Sequence, residues 1–282
     1  MKRTFLKVKK HLQKRVNNFF KFTPIQSASS TNQVRNFEIK KINQFEKIGF
    51  TLIQDDKFFL LQKNELTIKL RRLSSDIYVF SQVFYNKEYE LVIEAAILNG
   101  ITINTIIDAG ANIGLTTLMF AQTFNNASFF CIEPDKENFS TMKFNLSGIM
   151  QQCKLYNAAL WPEKKNLYLQ TDFRDGKEWS LRVTENQNHS TTVVEAITLM
   201  DIINENGLTT IDILKIDIEG SEAELFCDSS DLSFLQFVKI LALEIHNETN
   251  ARHRIVRILK EKNFMLFEAS ETLVAINLKL CA

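Results

Sequence analysis

An apolar run, Thr105-Ile106-Ile107, enters Asp108-Ala-Gly110-Ala-Asn112-Ile-Gly114, and a second apolar run ends in Cys131-Ile132-Glu133-Pro134-Asp135 about one βαβ unit later. A buried parallel strand over residues 101–107 has to turn abruptly into a helix here. Gly110 and Gly114 let the backbone bend and approach a ligand closely. The first turn of that helix would present N–H groups to a carboxylate or phosphate. The second strand, 128–132, ends on Glu133, whose two oxygens can accept both hydroxyls of a ribose.

The spacing is D-x-G-x-x-x-G and lacks the G-x-G-x-x-G that brings a pyrophosphate to a helix terminus. A nucleoside ligand without phosphates therefore fits better, and S-adenosylmethionine is such a ligand. Asp108, Gly110, Ala111, Asn112 and Gly114 are expected around its methionyl end, with Glu133 on the ribose. Pro134 and Asp135, with Asn157 and Ala158 at the next strand end, are expected beside adenine, and Gln82 is expected to reach in from upstream. The plainer reading of the glycines alone is a strand-to-helix turn that needs them for packing.

Residues 1–22 hold eight Lys or Arg and no acid, which leaves 26 basic against 33 acidic residues in the remainder. Phe5, Val8, Leu12, Val16, Phe19 and Phe20 recur there at three- to four-residue spacing, the pattern of a basic amphipathic helix. Such a helix suits a peripheral contact with the anionic inner surface of a membrane, a protein partner, or its own domain. Residues 23–36 read as a linker, residues 37–100 as an N-terminal helical and hairpin cap, and residues 101–282 as the cofactor-binding domain. No run of 18 apolar residues suggests a membrane span. Cys131, Cys153, Cys227 and Cys281 form no C-x-x-C and read as free thiols of a reducing, cytoplasmic compartment. Neither they nor the four histidines show zinc-ligand spacing. Oligomeric state has no signature.

From Ile101 onward strands alternate with helices, and the last two strands, 264–268 and 273–278, are joined by four residues and so run antiparallel. The expected fold is α/β: a doubly wound, mostly parallel, seven-stranded Rossmann-like sheet, the class I methyltransferase layout. The strand Ile211-Asp-Ile-Leu-Lys215-Ile-Asp217-Ile-Glu219 places three charges at period two. Burying them in mid-sheet would be expensive, so Asp217 and Glu219 belong at the carboxyl end with Lys215 paired below. The strand 239–244 runs on through Glu244-Ile245-His246 to the same edge. Asp217, Glu219 and His246 are the candidate catalytic residues, against an alternative in which Lys215 and Asp217 form a structural ion pair. Ser221-x-x-Glu224 reads as a capping box. Arg174 to Ser180 reads either as an acceptor-binding flap or as a surface loop.

These segments resemble the FkbM family of methyltransferases. The resemblance runs from Arg71 to Asn277 and rests on Ser74–Tyr89 (S-S-D-I-Y-V-F-S-Q-V-F-Y-N-K-E-Y), Ile107–Thr117, Ile132–Phe139, Asp212–Glu222 and Leu243–His246. It implies S-adenosylmethionine-dependent methyl transfer to a hydroxyl of a sugar, glycolipid or other small metabolite. It departs from the family at Asn247, where an acid usually follows L-E-I-H, and it does not cover residues 1–36. On this reading His246 is the general base, oriented or assisted by Asp217 or Glu219. A rival scheme has Asp217 and Glu219 hold a divalent cation, although no metal site is predicted. An NAD-dependent oxidoreductase needs the missing G-x-G-x-x-G. A nucleic-acid partner is not expected, because the acidic body would repel phosphates and no N-P-P-Y or D-P-P-Y occurs. The non-enzymatic alternative is a catalytically silent scaffold of the same fold, tethered through residues 1–22.

Overall fold

The computed structural model describes residues 31–55, 57–170, 182–187, 192–246, 251–269 and 271–281. The basic segment 1–22, the segment Arg174–Ser180 read as a flap or a surface loop, and Asn247 lie outside them. The first helix among the described residues, α1 (Thr31–Glu46), takes in the last six residues of the stretch read as a linker. It leads into an antiparallel three-stranded sheet of β1 (Thr51–Asp55), β2 (Phe58–Lys63) and β3 (Leu66–Arg71). The Lys63-Asn64-Glu65 hairpin expected between the last two is present, with Asn64 at φ 53° making the turn. The helix α2 (Asp76–Phe80) runs into one π-helical turn, Ser81–Tyr85, and α3 (Glu90–Leu98) follows. Phe80 is fully buried against Phe45 and Phe50, so the aromatic cluster of this region is core.

The central domain opens with β4 (Thr105–Ala109), α4 (Leu115–Thr123), β5 (Ser128–Ile132), α5 (Lys136–Asn145) and β6 (Cys153–Tyr156). Three short strands come next, β7 (Ala159–Leu160), β8 (Asn166–Gln170) and β9 (Arg182–Thr184), with β10 (Val193–Ile197) completing a second small sheet in the order β7-β10-β8-β9. The chain ends through α6 (Leu199–Asn206), β11 (Ile211–Ile216), α7 (Glu222–Leu225), β12 (Val238–Glu244), α8 (Arg252–Glu261), β13 (Phe264–Ala269) and β14 (Thr272–Asn277).

The main sheet has seven strands in the order β13-β14-β12-β11-β4-β5-β6. It is mixed: β12-β11-β4-β5-β6 pair in parallel, whereas β14 is antiparallel to both β12 and β13. Period-two alternation assigns each side chain to a face. Ile106, Phe129, Ile213 and Ile240 point into a core shared with α3, α4, α5 and the N-terminal elements. Ile107, Phe130, Leu214 and Leu241 point into the other, shared with α6 and α8. Burial on both faces explains the nearly continuous apolar runs of the central strands.

The parallel core starts later than the apolar run suggests, at Thr105 rather than Ile101. Asp212, 1% exposed, accepts from the backbone N–H groups of Asn104 and Thr105 at 2.8 and 2.9 Å and from Lys239 Nζ at 2.6 Å. That buried carboxylate ties the starts of β4, β11 and β12 together. The N-terminal elements form a layer on one face of the sheet, and Arg71, held within that layer by Asp76 (2.7 Å), links it to α5 through Asn138 (2.6 Å).

Candidate functional site

The carboxyl ends of β4, β5 and β11 open into a cleft. Gly110, Asn112, Glu133, Pro134 and Asn138 form one side, and Asp217, Ile218 and Glu219 the other. Gly110 has φ +75°, and a Cβ on it would lie 1.7 Å from the Asp217 backbone oxygen. The two strand ends approach that closely because there is no side chain between them. Gly114, at φ +82°, faces Met142 and Leu146 instead. Its role is helix packing and the cleft does not touch it.

Four N–H groups of the turn that precedes α4, those of Gly110, Ala111, Asn112 and Gly114, are engaged within the protein. Gly110 and Ala111 both donate to the Ile132 carbonyl (3.0 and 2.9 Å), and Gly114 donates to Ala111. Asn112, at φ 51°, donates its N–H to Glu133 Oε2 at 2.8 Å. Glu133 Oε1 accepts from the Asp135 N–H at 2.9 Å. Burial raises the Glu133 carboxyl to about 7, although these N–H donors favour its ionised form. It is 5% exposed, and the cleft is where it meets the exterior.

Asp108 is fully buried below the turn, where it accepts from Thr117 Oγ1 at 2.7 Å and faces Lys215 Nζ at 3.3 Å. Lys215 also donates to the Gly110 carbonyl at 2.6 Å and lies 3.6 Å from Asp217. Burial opposes its charge, but Asp108 and Asp217 hold the ammonium above its ordinary range. The ion pair weighed as an alternative therefore exists, and it anchors Asp217 without removing it from the cleft wall.

Several residues expected at the cofactor make structural contacts within the protein. Asp135 caps α5 by accepting from the N–H groups of Glu137 and Asn138. Asn157 donates to the carbonyls of Glu133 and Pro134 at 2.9 and 3.0 Å, bracing the β5 end from outside. Asp108, Ala111, Ala158 and Gln82 are not among the lining residues. In their place the wall includes Ile132, Asn138, Ala159, Leu160, Val183 and Ile218. Ala159 and Leu160 lie just beyond the predicted strand end. Val183 comes from β9, whose three residues carry no strand periodicity long enough to read.

Asp217, Glu219 and His246 come together: each offers an atom within 4.8 Å of the others. They are not equivalent. Asp217 and Glu219 are on the cleft wall, with Glu219 brought there by a left-handed φ of 52° followed by Gly220 at φ 94°. His246 stands behind them at 4% exposure, its Nε2 3.5 Å from both Glu219 Oε2 and Glu244 Oε1. Burial opposes its charge, but Glu222, Asp217 and Glu219 raise the imidazole to about 9. That value favours the charged ring at neutral pH, and His246, expected as the general base, is not among the residues lining the cleft. Glu88, from the turn before α3, is raised to about 7 by burial and by Asp217, and Glu244 is raised well above the ordinary range by burial, Asp217 and Glu88. The expected capping box is absent, since Ser221 makes no side-chain cap and Glu224 faces Arg182 at 3.3 Å.

A cleft at the carboxyl end of a partly parallel sheet, with a glycine at the strand crossover and a buried acid at the next strand end, defines an α/β cofactor-binding enzyme domain. The FkbM methyltransferase domain matches residues 108–266, more than half of the chain. The chain belongs to this family and is a methyltransferase. It is 29% identical over 194 residues to the methyltransferase SdnD of Sordaria araneosa, covering 56% of this chain and 73% of that one. The 2-O-methyltransferase NoeI of Sinorhizobium fredii is 26% identical over 140 residues, 45% of this chain and 57% of its own. The 31-O-demethyl-FK506 methyltransferase FkbM of Streptomyces tacrolimicus is 22% identical over 200 residues, 61% and 76% respectively. Among the described residues no helix is long and apolar enough to cross a membrane.

Proposed function

We propose that the protein is an S-adenosylmethionine-dependent O-methyltransferase acting on a hydroxyl of a sugar, glycolipid or other small metabolite. The observation that carries the cofactor reading is Glu133 on the wall of a cleft at the sheet's carboxyl edge, beside Gly110, whose missing side chain lets the β4 and β11 ends meet. The names of two relatives, both acting on oxygen, support the acceptor atom. Bound S-adenosylmethionine supplies an activated methyl group.

The protein's part is to hold, orient and accept a proton. Glu133 receives the ribose hydroxyls. Pro134, Ala159 and Leu160 give an apolar wall for the base. Gly110 and the Asp108–Lys215 pair keep the β4 turn rigid beneath the methionyl end. An acceptor hydroxyl at the far end of the cleft meets Asp217 and Glu219, which take its hydrogen bond and aim its oxygen. Glu219 takes the proton as the oxygen becomes acidic during transfer, and the His246 imidazolium behind it steadies the carboxylate. This assignment replaces His246 as the group that touches the acceptor.

The test uses labelled S-adenosylmethionine with a panel of free sugars, glycolipids and macrolide alcohols. Glu219→Gln should lower turnover about 100-fold or more, in the range of a lost general base. Wild-type turnover should fall as pH rises through about 9, where His246 loses its proton. A rise through that range would make neutral His246 the base.

A further inference from the structure

Glu222 has no place in the reaction scheme above, yet it is fully buried on the first turn of α7, directly behind the cleft wall. Its Oε1 lies 3.1 Å from His246 Nδ1 and accepts from the Ile218 N–H at 3.1 Å. Its other oxygen has no hydrogen-bond partner. Among the described residues, His246 is the one cationic group within ion-pair distance of it. An anion at zero exposure needs such a partner, because isolated burial of a carboxylate is prohibitively unfavourable.

Two groups compete for His246 Nδ1. The Gly220 N–H approaches it at 3.2 Å and can bond only to a bare nitrogen lone pair, whereas the Glu222 carboxylate needs a proton on Nδ1. The two arrangements exclude each other. A charge-assisted bond to a buried carboxylate is about twice as strong as a neutral one, so Glu222 prevails. With Nδ1–H held there, the ring plane is fixed and Nε2–H faces Glu219 on the wall and Glu244 at the end of β12.

We propose that Glu222 is a positioning residue that keeps the proton on His246 Nδ1 and thereby directs the Nε2 edge of the ring at Glu219. The proposal rests on the methyltransferase reading only for its consequence, since the tautomer can be read without any acceptor. The groups that face the ring are Glu219 from the β11–α7 loop, Glu222 from α7, Glu244 from β12, and Asp217 through space.

Two-bond ¹H–¹⁵N NMR of the histidine rings tests it. There are four histidines, and the His246 signal is assigned by its loss in His246→Asn. In the wild type, Nδ1 should stay protonated at neutral pH and in any neutral ring seen at high pH. In Glu222→Gln, which keeps an acceptor for Ile218, the midpoint should fall by about one pH unit or more, the size of a lost ion pair. The neutral ring should then carry its proton on Nε2, with Nδ1 accepting from Gly220. A wild-type neutral ring already protonated on Nε2 would overturn the proposal without any variant. So would an unchanged midpoint and tautomer in folded Glu222→Gln. Titration of both proteins with S-adenosylmethionine separates the two levels: absent binding by the wild type would defeat the functional reading and leave the NMR result standing.

Discussion

At Gly110 the backbone of one strand end forms the wall against which the next strand end packs. A methyl group there would overlap the Asp217 oxygen at 1.7 Å, and φ +75° is itself unfavourable for any L side chain. Gly110→Ala should therefore destabilise the fold by about 3 kcal/mol or more, read as a lower urea midpoint. Gly114 shows a different use of the same residue type, because a Cβ there meets the side-chain Cγ atoms of Met142 and Leu146 at 3.0 and 3.2 Å rather than a backbone oxygen. A change at Gly110 within 1 kcal/mol of wild type would contradict the close approach of β4 and β11. From sequence both glycines look alike, since spacing carries no information about which neighbour stands opposite. The same holds for Asn157 and Asp135. Both are polar residues at strand ends, where ligands bind; Asn157 is engaged by carbonyls that only the tertiary fold brings near, and Asp135 by the N–H groups of the helix it caps.

Among the secondary-structure elements, the long apolar and periodic segments were legible. The spans read for α6 and β5, 199–206 and 128–132, coincide with the observed ones. Both have sharp physical limits: α6 begins at a capping box made by Thr198 and Asp201 and ends on Gly207 at φ 59°. Strand ends without such punctuation were less legible. The apolar run from Ile101 gives no sign that pairing waits until Thr105, because Asp212, more than a hundred residues later, holds the backbone there. Asp212→Ala should leave Lys239 without its partner and two buried N–H groups without an acceptor. The expected loss is about 3 kcal/mol, the range for breaking one side of a buried ion pair. Urea unfolding checks it, and a loss below about 1 kcal/mol would show that the three strand starts are held by something else. The π-helical turn at Ser81–Tyr85 and the three-residue β9 were not legible either. Neither is long enough to have a period, and β9 supplies Val183 to the cleft.

For the molecule as a whole, chain order and hydrophobic alternation sufficed to place both core layers and the antiparallel end of the sheet. The charged edge was legible in part. Period two put Asp217 and Glu219 at the end of β11 with Lys215 beneath, as found. What spacing could not convey was depth: His246 and Glu219 belong to one cluster, but one is buried behind the other, and a third acid, Glu222, sits behind both. The cleft thus joins Glu133, where the nucleoside is proposed, to the acidic pair Asp217 and Glu219. The N-terminal layer, read as a cap over residues 37–100, and the sheet share one hydrophobic cluster.

The central claim is that this cleft holds S-adenosylmethionine through Glu133. Isothermal titration with S-adenosylmethionine, its demethylated product and NAD, at pH 6 and pH 8, tests it most directly. In the unliganded fold the Glu133 carboxyl keeps its proton to about pH 7, whereas the unfolded chain releases it near the ordinary 4.5. Fold stability from this group therefore falls as pH rises through that window, and the ionised carboxylate above it is the better acceptor for two hydroxyl donors. The account predicts binding of the first two ligands and not NAD, tighter at pH 8 than at pH 6, and weakened about tenfold or more by Glu133→Ala, in keeping with loss of charge-assisted hydrogen bonds. Folded protein that binds none of the three, or binds S-adenosylmethionine equally well without Glu133, would contradict it.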